Sequence, residues 1–468
     1  MRSLITTAFC VLAVASLLLS KWEPDETPDG RIPLDWATSS NPERDLAVEK
    51  FNELQPDLFL RLDVGNTGLD KILVQSSSGV GPDLFEAHQI AQLQAFVEAG
   101  IVWDLTPHAK KFGIDPETAL WPAIWGDHVY EGRQYGYSAG VGVDLLFYNK
   151  NLFRKFGVSF PNDNMTWEEF FELAKSVTGF HPNINRHLFG VAGLYWHHFF
   201  YSQKGEYFSS DGTKVLVNSP AMRRSFNMQR RAIFADKITL SSIELSQMAG
   251  QGGFGGENLN QFGQGKFSML VGGKWMLTRL RQFVHAQRKE LKKWEESGKS
   301  ENKPIVLELG VVRLPKFKDI PPSYHARSHV IAINKYSENR EQALNVLKYL
   351  SSKEYSQFLI NLPANPRHRD TAFGNFSEPE LSDEAATRKS YDTLEFGYQP
   401  RTSPFLMMTD VNRVIGDQVA RLEADPGTPV GTLLRDAEKR LAELMDRNLN
   451  RDPKLLKEFK RRRDQRAR

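Results

Sequence analysis

One cysteine, Cys10, occurs in 468 residues, and it lies inside an apolar N-terminal run. A mature chain that loses this run has no disulfide and no thiol chemistry, so its core alone must hold it together. An excess of one charge is also missing: 60 Lys and Arg stand against 57 Asp and Glu, a net charge of +3. Binding a polyanion needs a concentrated basic face, so no nucleic-acid partner is expected. The one basic run is Lys460-Arg461-Arg462-Arg463 with Arg466 and Arg468. It reads as a solvated, frayed helix end within a C-terminal tail, 449–468. Enzyme motifs are missing as well. There is no G-x-S-x-G elbow, no H-E-x-x-H, and no cysteine to partner a histidine. His197 and His198 are adjacent and would point apart on a regular element. Asp127, His128 and His187 show no third partner, and Glu168-Glu169 is explained by a helix start. No catalytic residue, metal site or cofactor is expected.

What is present begins at the N-terminus. Arg2 precedes an uncharged apolar run from Leu4 to Leu19, followed by Lys21, Glu23 and Asp25. This is the layout of a secretion signal, shorter than the ~20 residues that span a bilayer. Residues 1–20 therefore read as a signal peptide or short membrane anchor, and the Pro- and Asp-rich 21–30 as a linker. Beyond it, 468 residues suit two domains better than one core. Ile32 to Trp36 reads as a strand. Asn41-Pro42-Glu43 starts a helix whose buried face carries Ala47, Phe51 and Leu54. Leu58, Leu60, Leu62 and Val64 alternate as a strand, 69–75 is helix, 82–85 a buried strand, and 90–99 a helix ended by Gly100. This alternation implies a largely parallel sheet flanked by helices.

Further on, Thr166 and Glu169 form a capping box ahead of an apolar face at Trp167, Phe170, Phe171, Ala174 and Val177. Strands are expected at 305–313 and 329–334, a helix capped by Ser337 with its core face at Ala343, Leu344, Leu347 and Leu350, and a helix over 430–445. The charged stretch 285–303 reads as an exposed helical hairpin. The glycine-rich 250–256 lacks the G-x-x-x-x-G-K-[ST] spacing and reads as a flexible loop beside a cleft.

Aromatic residues near loops give the remaining signal. Sugars offer flat C–H faces ringed by hydroxyls, which aromatic planes and convergent polar groups recognise. Trp36 with Thr38, Ser39 and Ser40 follows the first strand. Glu86, His88 and Gln89 follow the third; Tyr195-Trp196 and Trp275 complete the set. Their places at strand ends match where α/β ligand sites collect.

Several segments resemble, in order, the sugar-binding branch of the extracellular solute-binding proteins of ABC importers, the group that includes the maltodextrin binders. They are Trp36 to Asn52; Gly81-Pro82-Asp83-Leu84-Phe85; and Glu131-Gly132-Arg133-Gln134-Tyr135-Gly136-Tyr137. Phe147 to Phe153, with Pro161 and Thr166 to Phe170, is the most specific. Phe262 to Met269 with Gly273-Lys274-Trp275, then Leu309 to Pro315, Val330 to Asn334, Ser337 to Ser351 and Leu362-Pro363-Ala364, complete the order. The resemblance implies an α/β, two-lobed periplasmic-binding-protein-like fold of type II with a ligand cleft between lobes. Lobe 1 would take 31–141 and 330–361, and lobe 2 would take 142–329 and 362–448. Crossovers would fall near Gly140-Val141-Gly142, Ser328-His329 and Pro363, where glycines absorb φ/ψ change.

Carried over position by position, the ligand contacts are Trp36, Thr38, Ser39, Ser40, Glu86, His88, Tyr195, Trp196 and Trp275, with Phe405 and Leu406 as a late aromatic wall. Serines replace the Asp-Lys pair of maltodextrin binders, and Gly142 stands where an acidic contact is found, so the scaffold is carried over further than the sugar. The implied function is capture of a sugar or oligosaccharide, in the periplasm or at the extracellular face of the cytoplasmic membrane, by a monomer that docks on ABC permease subunits. A ligand-binding sensory ectodomain and a glycan hydrolase remain as alternatives. So does a non-sugar solute such as glycerol phosphate, which basic cleft residues such as Arg327 or Arg367 would favour.

Overall fold

The computed structural model describes residues 30–40, 42–65, 68–87, 90–115, 121–181, 186–248, 256–298, 303–352, 355 and 384–466. The expected signal segment, His88, the glycine-rich loop up to Gly255, and the stretch holding Pro363 and Arg367 lie outside them. Among the described residues no helix is long and apolar enough to cross a membrane.

Among the described residues twelve strands form: β1 (Ile32–Ala37), β2 (Leu58–Asp63), β3 (Leu84–Ala87), β4 (Val129–Tyr130), β5 (Arg133–Gln134), β6 (Tyr137–Asn149), β7 (Gly179–His181), β8 (Arg186–Ala192), β9 (Phe267–Gly273), β10 (Leu309–Val312), β11 (Tyr324–Ile333) and β12 (Gly397–Tyr398). The main path runs β2-β1-β3-β11-β6-β9-β8-β7, with β10 beside β6 and β12 beside β11. β1 lies parallel to β2 and β3, and β8 parallel to β9, as strand–helix alternation requires.

β6 and β11 belong to both halves of this path. At ~3.3 Å per residue the 13 residues of β6 are long enough to serve two partners in turn. Its first part, to Val143, pairs antiparallel with β11, and Asp144 to Tyr148 then pairs with β9. β11 passes in the same way from β6 to β3, with a bulge between His329 and Val330. Ser328 faces Val141 and His329 faces Gly140. A Cβ on Gly136, just ahead of β6, would meet Val330 Cγ1 at 2.3 Å, so only glycine allows this approach to β11.

Local signals act where they were read. Thr166 caps the helix Trp167–Ser176 in a capping box with Glu169, and the helix buries Trp167, Phe170, Phe171 and Ala174. Other expectations are corrected. The strand near 305–313 shortens to β10, and β11 begins well before His329. Ser337 does not cap the helix Arg340–Leu350; its hydroxyl takes the Asn339 N–H and donates to Asp83. The expected hairpin is a single helix, Leu277–Glu296, whose apolar face at Leu277 and Leu280 is buried. The basic tail is no frayed end. It forms the helix Pro453–Arg466, whose Leu455, Leu456 and Phe459 pack on the cluster built by the helices Met408–Ala424 and Val430–Arg451.

Candidate functional site

Alongside β11 a cavity of about 1040 Å³ opens. β11 supplies His325, Arg327 and Ser328 to its wall, and the short helix Trp196–Tyr201 supplies Trp196, His197 and Tyr201. The turn Pro122–His128 gives Asp127, the segment after β12 gives Gln399 and Arg401, the helix Met408–Ala424 gives Asn412, and the C-terminal helix gives Arg462.

Arg327 and Asp144 form the charged centre. Two parallel contacts join them, Nη1 to Oδ2 at 3.0 Å and Nη2 to Oδ1 at 2.6 Å, and His198 Nε2 lies 3.4 Å from Asp144 Oδ2. Burial by itself would push the Asp144 carboxyl up. The Arg327 guanidinium and the His198 contact outweigh it and hold the group well below the usual carboxylate range. The same cation, added to burial, holds His325 down to about 3, and burial with His198 holds His197 well below its ordinary value. Both rings are therefore neutral imidazoles with one donor and one acceptor each. His325 stacks on Tyr201 with centroids 4.1 Å apart. Trp196 packs against Phe200 and Phe226 at 5.9 and 5.7 Å.

Asp127 behaves in the opposite way. Its Oδ2 accepts from the Ser328 N–H at 2.9 Å and from Gln399 Nε2 at 2.6 Å. Burial pushes its carboxyl up to about 7, against the pull of those hydrogen bonds and of Arg327. A carboxyl raised in the folded state stabilises below its unfolded value, 3.8, and that contribution is lost as pH rises through about 7. Asp127→Asn keeps an acceptor for both donors. It is expected to abolish this decline and to raise stability at pH 8 by a few kcal/mol relative to its effect at pH 4. Thermal melts at the two pH values check the sign.

The expected contacts divide. Trp196 lines the cavity. Thr38, Ser39 and Glu86 come together at the carboxyl ends of β1 and β3 through Arg44, which the sequence reading missed. Arg44 Nη2 reaches both Glu86 carboxylate oxygens at 2.8 Å, and its Nη1 donates to Ser39 Oγ at 2.8 Å. Thr38 Oγ1 also donates to Glu86, and His329 Nδ1 lies 3.1 Å from it. A cation in the first turn of a helix opposes the helix dipole; Arg44 two residues after Pro42 was the available sign that it serves something outside its helix. Ser40 contacts Asp45 instead. Tyr195 and Trp275 are 37% and 39% exposed, and Trp275 is not among the residues lining this cavity.

Two contacts are corrected. Trp36 is 1% exposed and sits in the core, because β1 lies between β2 and β3 and its register sets Trp36 against Leu62 and Leu84. Phe405 is fully buried, edge-on to Phe459 at 5.1 Å with the Arg462 guanidinium over its ring. Neither ring is open to a ligand. Tyr201, His325, Gln399 and Arg401 were missed, and nothing local marks them, since only the crossing of distant segments brings them to one wall.

The fold is similar to that of solved substrate-binding proteins. An ABC substrate-binding protein from Listeria monocytogenes in complex with cycloalternan superposes with a TM-score of 0.70 at 19% identity, covering 89% of this chain and 99% of that one. Maltose-bound MalE3 of T. maritima gives 0.65 at 20% identity over 88% of this chain and 100% of that one. UgpB from Mycobacterium tuberculosis in complex with glycerophosphocholine gives 0.68 at 17%, over 89% and 99%. A Brucella abortus (strain 2308) binding protein is 24% identical over 348 residues, 71% of this chain and 74% of its own length. The expected α/β two-lobed fold is thus the fold of this chain. The family model for bacterial extracellular solute-binding protein matches residues 37–357, and the chain belongs to that family.

Proposed function

We propose that the chain captures a neutral, hydroxyl-rich solute, a sugar or oligosaccharide, in the cavity alongside β11 and hands it to the permease of an ABC importer. The observation that carries this reading is the compensation of every arginine in the cavity wall. Arg327 is clasped by Asp144, Arg401 faces Glu206 at 3.4 Å, and Arg462 meets Glu458 at 2.7 Å. With His197 and His325 neutral, the wall is dense in hydrogen-bonding groups and carries no cation without a carboxylate beside it. Hydroxyls suit that wall, while a phosphate would compete with a carboxylate at each arginine. Trp196 and the Tyr201–His325 stack provide the aromatic planes.

Thr38, Ser39 and Glu86, ordered by Arg44, belong to the first lobe of this reading, 31–141 with 330–361. Trp196 belongs to the second, 142–329 with 362–448. The lobes close by bending at Gly140 to Gly142 and at Ser328-His329, and ligand drives closure by binding the closed state more tightly. The protein acts as a monomer outside the cytoplasm.

A thermal-shift screen against mono- and oligosaccharides, with glycerol phosphate and glycerophosphocholine beside them, tests the reading. A melting temperature raised by a saccharide supports it; a rise with the phosphate compounds alone overturns it. Trp196→Ala is expected to weaken binding of the saccharide that scores by about 1–3 kcal/mol, read by calorimetry.

A further inference from the structure

The helix Pro453–Arg466 carries a charge imbalance that the rest of the chain does not share. Between 453 and 465 it holds Lys454, Lys457, Lys460, Arg461, Arg462 and Arg463 against Glu458 and Asp464, an excess of +4 in a chain whose total is +3. Residues outside this stretch therefore bring no net positive charge. Packing fixes which way the excess points. Leu455, Leu456 and Phe459 turn inward onto the apolar cluster, with Phe459 edge-on to Phe405 at 5.1 Å. At about 100° of rotation per residue, Lys454, Lys457 and Lys460 fall away from that inward face, and all three are exposed.

The acids nearby are already engaged. Glu458 meets Arg461 at 2.6 Å and Arg462 at 2.7 Å, and Asp464 lies 3.8 Å from Arg463. Asp452, just ahead of the helix, accepts the Lys454 and Leu455 N–H groups at 2.8 and 3.3 Å. Among the described residues no ion pair reaches the ammonium of Lys454, Lys457 or Lys460. The helix thus presents to solvent a row of three uncompensated lysines, held in place by the apolar side of the same helix.

The composition of this face selects its partner. Protein interfaces are depleted in lysine and centre on aromatic and arginine anchors. Here the one aromatic ring of the helix, Phe459, is turned inward, and the outward row is lysine. A hydrated ammonium on a flexible stem suits a layer of phosphate charges that offers no fixed geometry. We propose that this face docks on the anionic phospholipid headgroups of a membrane surface. The docking is independent of which solute the cavity takes, and salt screens it.

Co-sedimentation of the full chain with vesicles tests it, comparing an equal mixture of phosphatidylglycerol and phosphatidylcholine with phosphatidylcholine alone. The apolar N-terminal run partitions into either vesicle alike, so the difference between them reads charge. The wild type is expected to bind the anionic vesicles about tenfold or more tightly, and high salt should remove the difference. Lys454→Gln with Lys457→Gln and Lys460→Gln should cancel most of that preference, each lysine being worth about fivefold. The melting temperature should not change, because all three side chains are exposed. The same charge removed at Lys289, Lys292 and Lys293, exposed on the helix Leu277–Glu296 among Glu290, Glu295 and Glu296, should leave the preference standing. No preference in the wild type, an unchanged preference in the C-terminal triple variant, or equal losses in both variants overturns the proposal. So does retention on immobilised polyglutamate through the same three lysines without affinity for anionic vesicles, which would assign the face to an acidic protein.

Discussion

Arg327→Leu is expected to destabilise the folded chain by about 3–5 kcal/mol, because it strands the buried Asp144 carboxylate. The guanidinium is the group that offsets the burial of that carboxyl, and His198 Nε2 lies 3.4 Å from the carboxylate. The pH dependence should change with it. In the wild type the folded carboxyl is depressed, so the pair's contribution is fully present above the unfolded value of 3.8 and is lost as pH falls below it. In Arg327→Leu only the His198 contact is left to oppose burial, the largest effect on this carboxyl, so the carboxyl is raised and stability is expected to decline as pH rises toward neutrality. Urea unfolding at pH 5 and pH 8 separates the two patterns. Arg327→Leu with Asp144→Leu removes both charges and should recover most of the loss. A single variant as stable as the wild type at pH 8 would mean that water, and not Arg327, compensates Asp144.

Trp36→Ala is expected to cost about 3–5 kcal/mol as well, by opening a void in the main core. Trp36→Phe should cost less, because the indole Nε1 makes no hydrogen bond that the change would break. Neither should alter saccharide affinity in the cavity, since the ring is covered by its own sheet. A large loss of affinity with Trp36→Phe at unchanged stability would return this tryptophan to the ligand site.

How far the sequence reached depended on the range of the interaction. The Thr166–Glu169 capping box and the apolar face behind it lie within a few residues, and both form as read. The alternation at Leu58, Leu60 and Leu62 and the buried strand at Leu84-Phe85 were likewise visible, because period and burial are local properties. Trp36 was misjudged because a strand end shows two faces, and only pairing with β2 and β3 determines which is covered. The C-terminal helix was misjudged for a related reason. Leu455, Leu456 and Phe459 already lay on one face amid the basic run, but their burial needed Phe405 to be waiting.

The cavity is the extreme case. Its ion pair joins residues 183 apart in the chain, and the Asp127–Gln399 contact joins residues 272 apart. Alone, the sequence determined the α/β alternation, the capped start of the helix Trp167–Ser176 and the order of family segments, each written in neighbouring residues. Tertiary structure decided which rings stay open, which arginines are compensated and which histidines are neutral. Those outcomes depend on burial and on charges brought within a few ångströms, and neither exists until the crossing strands fold the distant segments onto one wall.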